Sequence, residues 1–239
     1  MSNLLALETS AEVCSVALFV EGRVLSFHRH APMKHAELLL PAVSGLLDEA
    51  NLALGDVEAI AFGRGPGSFT SLRIGIGVVQ GLAWASGLPV VPVSSLAAVA
   101  QLAVEAGSSQ ATQICVAMDA RMQEVYTANF TVGDGVVRAA GKERVCSAEQ
   151  VLIPADEPFI AAGNGFERFD VLSEQAARAV ACRPSLWPRA ETICTLALDW
   201  MKEHEPLPAS AAQPSYVRND VASKPGDSRN QSTGTLSQR

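Results

Sequence analysis

The chain has 239 residues, 48% of them hydrophobic and 18% charged, with a formal net charge of -7. That length and apolar content can fill one large or two modest globular cores, and the excess of acid excludes the dense cationic surface that neutralises nucleic-acid phosphates. No apolar run approaches the ~18 residues of a membrane span, and the opening MSNLLALETS lacks the basic start and cleavage site of a signal peptide, so a cytoplasmic chain with no membrane attachment is expected.

Three strands come first: LLALE at 4–8, CSVALFV at 14–20 and RVLSFH at 23–28, with Glu21-Gly22 as a turn, which makes a meander. Met33, Ala36, Leu39, Leu40, Val43, Leu46 and Leu47 then recur at helical spacing, and Pro41 is expected to kink this helix or to start part of it. VEAIAFG at 57–63 reads as a short buried strand. A second helix is expected from Ser68 to Ser86, LPVVPVS as another strand, and SLAAVAQLAVEAG as a third helix capped by Ser94 or Ser95 and closed by Gly107.

Past Gly107 the order restarts. QICVAMDA, EVYTANFTV and GVVRAAGKERV form a second meander, followed by a short helix near 147–152, the strand PFIAAG, a helix from Gly165, the strand RAVACR and the helix ETICTLALDWMKEH. Both halves therefore read strand-strand-strand-helix-strand-helix, and the turn Glu8-Thr9-Ser10 after the first strand corresponds to Asp119-Ala120-Arg121 in the second half. Strands alternating with helices imply an α/β fold around mixed sheets, here two similar lobes over 1–107 and 108–222. The polar, aperiodic stretch 223–239 is expected to be a disordered tail.

The five cysteines, Cys14, Cys115, Cys146, Cys182 and Cys194, have no C-x-x-C spacing and sit in apolar surroundings, so reduced and mostly buried thiols are expected. His28, His30, His35 and His204 lack the companions and the four-residue helical spacing of a metal pair, so no metal site is expected.

The densest motif is GRGPGSFTSLRIGIG at 63–77. It is no P-loop, because Lys34, Lys142, Lys202 and Lys224 are the only lysines and none is near. The glycine spacing of a dinucleotide fingerprint is absent, and Pro66 and Thr70 stand where a nucleophile elbow around Ser68 would need glycine. Ser68 reads instead as an N-cap, its hydroxyl taking an amide two or three residues on. Gly77, Gly81 and Ala85 then recur every fourth residue on one helix face. A helix-interior glycine costs about 1 kcal/mol relative to alanine, so close approach of another backbone, from this chain or from a partner, must offset it. Ile74, Val78, Leu82 and Trp84 beside that face are more apolar groups than one covered side requires.

These residues carry a resemblance. GRGPGSFTSLRIGIG followed by QGLA is similar to the signature of the TsaB (YeaZ) family, and LLALETSAEVCSVAL, HAELLLPAV, MDARMQEVY and PSYVRNDVA resemble further family segments in the right order. Ser71 departs from it, standing where the family usually has glycine. The resemblance implies a two-lobed actin-like ATPase (ASKHA) fold of duplicated βββαβα units. It also implies a part in forming threonylcarbamoyladenosine at position 37 of tRNAs that read ANN codons.

In that pathway a catalytic paralogue, TsaD, transfers the threonylcarbamoyl group, and an ATPase, TsaE, completes the assembly. The chain itself is then expected to be an essential non-catalytic partner that pairs with TsaD, or with a second copy when alone, and meets tRNA only through the complex. No cofactor is expected on it, ATP, ADP and metal belonging to partner subunits. The paralogue's H-x-x-x-H metal helix is matched here by MKHAELLLP, which has only His35. Glu8, Thr9 and Ser10, with Gly163 and Gly165 around Asn164, occupy the places of vestigial nucleotide-binding turns, without a basic group nearby. Leu39, Val43, Leu46, Ile74, Gly77, Val78, Gly81 and Trp84 are expected to form the partner interface. The rival readings are a glycoprotease-like peptidase and an autonomous ATP-binding protein of the same fold.

Overall fold

A computed structural model describes residues 3–107, 111–155 and 157–218. The tail expected at 223–239 lies outside the described residues. The first half runs β1 (Leu4–Glu8), β2 (Val13–Val20), β3 (Arg23–His30), α1 (His35–Ala50), β4 (Ala59–Gly63), α2 (Phe69–Ser86), β5 (Val90–Val93) and α3 (Ser95–Glu105). Its sheet has the order β3-β2-β1-β4-β5, antiparallel in the meander and parallel across β1, β4 and β5.

The second half runs β6 (Gln113–Asp119), β7 (Glu124–Gly133), β8 (Val136–Ala139), β9 (Arg144–Ser147), β10 (Phe159–Ala162), α4 (Gly165–Arg168), α5 (Asp170–Ala176), β11 (Ala181–Arg183) and α6 (Ala190–Trp200). Its order β11-β10-β6-β7-β8, with β9 also on β7, repeats the first sheet. The duplication read from element order is a duplication of topology, and the fold is the two-lobed actin-like one.

Several expected elements differ in detail. GVVRAAGKERV, expected as one strand, is split into β8 and β9, which pair with opposite ends of the long β7. The helix expected near 147–152 is a single 3-10 turn at Ala148–Gln150, and only the last three residues of RAVACR form a strand. Pro41 neither starts nor ends α1, which runs through it. Pro41 is exposed, so the turn that loses a hydrogen bond to it lies on the solvent side.

β1 shows why the middle of each sheet is so apolar. Its side chains alternate between two cores: Leu5 and Leu7 face α1 and α2, while Leu4 and Ala6 face α6. A strand covered on both sides reads as a continuous apolar run instead of an alternating one.

The halves do not each keep their own last helix. α3, from the first half, packs on β6, β7, β8 and β10, while α6, from the second, packs on β1 to β5. The two exchanged helices also pack on each other, so residues of both sheets share one apolar cluster. Residue 107 therefore divides two sequence repeats and not two separate cores. After α6 the chain returns to the first half, where Leu207 and Val90 exchange backbone hydrogen bonds, and then runs beside α2 to Arg218. Among the described residues no helix is long and apolar enough to cross a membrane.

Candidate docking face and inter-lobe cleft

The glycine-rich stretch is the seat of the β1–β2 turn. A Cβ on Gly63 would lie 1.9 Å from Oε2 of Glu8, one on Gly67 2.3 Å from the Ser10 carbonyl oxygen, and one on Gly75 2.1 Å from Oγ1 of Thr9. Three glycines thus admit three consecutive turn residues, and hydrogen bonds fix the fit. Ser68 N donates to the Ser10 carbonyl at 2.7 Å, and Thr9 Oγ1 donates to the Ser71 carbonyl at 3.0 Å. Ser68 does hold the N-cap position of α2, but its hydroxyl takes no amide and accepts instead from Ser71 Oγ at 3.1 Å. The serine at 71 therefore fits this turn without distorting it.

Glu8, only 1% exposed, accepts hydrogen bonds from Ser10 N and, at 2.8 Å, from Ser95 Oγ. Burial holds its carboxyl above the usual carboxylate range, although those hydrogen bonds pull the other way. Gly163 and Gly165 play the corresponding role in the second half, since a Cβ on them would lie 2.5 and 2.8 Å from the Ala117 carbonyl oxygen. Of the residues expected to form vestigial nucleotide turns, Glu8, Thr9, Gly163 and Gly165 are thus engaged inside the fold, and Ser10 reaches the cleft described below.

Along α2 the faces divide cleanly. Leu72, Ile76, Val79 and Ala83 are buried, while Phe69, Arg73, Gly77, Gly81 and Trp84 form an exposed stripe, Trp84 being 77% exposed. A Cβ on Gly77 or Gly81 would meet nothing within 4 Å. No part of this chain among the described residues covers the glycines. Ile74 and Val78 are half-buried at the border of the stripe.

The expected contacts on α1 need correction. Leu39, Val43 and Leu46 lie in the first lobe's own core with Leu5, Ile60 and Val79, so they cannot touch a partner while the lobe is folded. Their helical period marked the face turned to the sheet. The exposed apolar groups beside them are Met33 and Leu40.

Next to the N-terminal end of the stripe, with which it shares Phe69, the lobes enclose a cleft of about 430 Å³, walled by Pro66, Phe69, Met118, Tyr126 and Trp187 with Ser10, Asn164 and three arginines. Each of those arginines already has a carboxylate: Arg121 pairs with Glu12 at 2.9 Å, Arg168 with Asp119 at 3.3 Å, and Arg218 with Glu124. A nucleotide polyphosphate, the ligand this fold implies, would find no unneutralised side-chain cation there, so the lining does not suit it. Two ion pairs join the lobes, the bidentate Arg64–Glu143 pair and the Arg121–Glu12 pair. These cross-lobe partners escaped sequence reading because they lie 79 and 109 residues apart.

Among the described residues no group of three or more His, Cys, Asp and Glu side chains stands close enough to hold a metal ion. Cys14, Cys115 and Cys194 are buried, Cys146 is half-buried and Cys182 is exposed. Burial pushes the Cys14 thiol up to about 11 and Cys115 up to about 12.

A family model described as "TsaD: tRNA N6-adenosine threonylcarbamoyltransferase" matches residues 29–223. The tRNA threonylcarbamoyladenosine biosynthesis protein TsaB of Escherichia coli K12 is 35% identical over 93% of this chain and 97% of its own length. The protein of that name from Haemophilus influenzae is 37% identical over 93% and 96%. A solved structure described as YeaZ from Pseudomonas aeruginosa superposes with a TM-score of 0.82 at 46% identity, covering 90% of this chain and all of that one.

Proposed function

The chain belongs to the TsaB family of tRNA threonylcarbamoyladenosine biosynthesis proteins, and from that premise we propose that it is the non-catalytic partner of a TsaD-type threonylcarbamoyl transferase. The observation that carries this reading is the exposed stripe of α2. Two interior glycines weaken that helix with nothing among the described residues against them, and an exposed tryptophan lies one turn further on. Bare backbone flanked by apolar side chains fits a closely packed helix from another protein.

The acidic group that the fold would use for nucleotide chemistry supports the same reading. Glu8 has its carboxylate oxygens taken by Ser10 and Ser95 and is walled in by Gly63. The chain then needs no cofactor of its own, nucleotide and metal being held by partner subunits. A TsaE-type ATPase joins the assembly, tRNA is met only within it, and the isolated chain pairs with a second copy through the same stripe.

Replacing Gly81 with leucine tests the reading. The site is open, so the variant keeps the fold and gains helix propensity of about 0.8–1 kcal/mol, yet it should no longer co-purify with the transferase. Undiminished co-purification would sink the proposal.

A further inference from the structure

The α2 stripe carries one charge. In its 18 residues Arg73 is the sole ionisable side chain, spaced four residues from both Phe69 and Gly77. Its guanidinium carbon lies 3.7 Å from the centroid of the Phe69 ring, and its Nε donates to Tyr216 Oη at 3.1 Å. Tyr216 arrives from the segment that follows α6, and its ring leans on Phe69 with centroids 5.6 Å apart. All three side chains are exposed, yet each restrains the next.

Arg64, Arg121, Arg138, Arg168 and Arg218 each meet a carboxylate, whereas Arg73, like Arg23, Arg29, Arg144, Arg178, Arg183 and Arg189, has none among the described residues. What sets Arg73 apart within that unpaired group is an aromatic stack combined with a side-chain hydrogen bond. Its two terminal nitrogens make no hydrogen bond among the described residues either. Those nitrogens form the edge that grips a carboxylate in two parallel hydrogen bonds. A stacked, hydrogen-bonded arginine has already lost much of its rotamer freedom, so a partner gains the contact at a smaller entropic cost. Arginine and tyrosine are also the residue types that dominate binding at interface centres.

We infer that Arg73 is the polar anchor of the docking face and takes an Asp or Glu side chain of the partner transferase, about 6 Å along the helix from Gly77. The inference rests on α2 being the docking face. It points to a different protein more than to a second copy, because α2 has no acidic residue to offer a facing α2. The bare glycines let the partner helix approach, and Arg73 sets its register through one charge pair.

The test measures affinity of the full chain for the purified transferase at several salt concentrations. Arg73→Ala should weaken binding at least about 30-fold and flatten the salt dependence. Arg73→Lys, which keeps the charge without the planar fork, should restore only part of the loss. Tyr216→Phe should weaken binding several-fold, because it frees Arg73 without removing it. Full-strength binding by Arg73→Ala, while Gly81→Leu binds nothing, overturns the anchor and leaves the docking face standing. Normal binding by Gly81→Leu overturns the docking face itself. The anchor also falls if Arg73→Ala weakens only self-association, or if Asp220→Asn with Asp227→Asn reproduces its effect, since the carboxylate would then be this chain's own.

Discussion

Gly75 and Gly81 sit in one helix and have opposite reasons for being glycine. At Gly75 a methyl group would collide with Thr9, as it would at Gly63 with the Glu8 carboxylate. Gly63→Ala or Gly75→Ala should therefore destabilise the chain by about 1–3 kcal/mol through overpacking, whereas Gly81→Ala should stabilise it by about 0.5–1 kcal/mol. Chemical denaturation of the three variants distinguishes the two kinds of site.

Glu8 adds a pH signature. Its folded pKa is raised above the ordinary 4.5 by burial, so its contribution to stability is fully present below that pH and is lost as pH rises toward the folded value. Subtracting the stability curve of Glu8→Gln from that of the wild type should give a difference that moves in the variant's favour with rising pH above 4.5. A flat difference would mean that Glu8 is not held in this environment. The sequence alone shows an acidic residue in this turn and a glycine loop elsewhere. Nothing in the sequence joins the two, because Glu8 and Gly63 meet only after β1 and β4 pair in parallel.

The helices were the most legible elements. α2 was expected from Ser68 to Ser86 and spans Phe69–Ser86, since an apolar period over five turns leaves little room for another reading. The same period misplaced the interface on α1. Periodicity reports which face is buried and not what buries it, so Leu39, Val43 and Leu46 marked the core, while Gly77, Gly81 and Trp84 stood out by being small or apolar off the buried stripe.

α6 shows a second contact invisible in sequence. Its N-cap residue, Arg189, supplies no side-chain cap, and Ser15 of β2 accepts a hydrogen bond from Ala190 N at 3.0 Å. A residue of the first repeat thus serves as a cap for the helix that the second repeat contributes. Ser15→Ala should cost about 0.5–2 kcal/mol of global stability, read from thermal or urea unfolding, because α6 lies in the shared core. A loss confined to local fraying would contradict that placement.

At the scale of the whole molecule, element order revealed the duplication but not the exchange of α3 and α6, because propensity says nothing about which sheet a helix covers. The exchange makes each repeat depend on the other, and the pairs Arg64–Glu143 and Arg121–Glu12 link the two lobes directly. With its arginines neutralised, that cleft should bind no ATP at micromolar concentration when the isolated chain is titrated by calorimetry. Micromolar binding would revive the autonomous nucleotide-binding reading.

The central claim is that a folded, non-catalytic chain activates the transferase through the open face of α2. Its most direct test is reconstitution of tRNA modification from purified TsaD-type transferase, TsaE-type ATPase, threonylcarbamoyl-adenylate and tRNA, with the wild-type chain, with Gly81→Leu, or with no added chain. Threonylcarbamoyladenosine is expected to accumulate only with the wild type. Equal accumulation without the chain, or with Gly81→Leu, would contradict the claim.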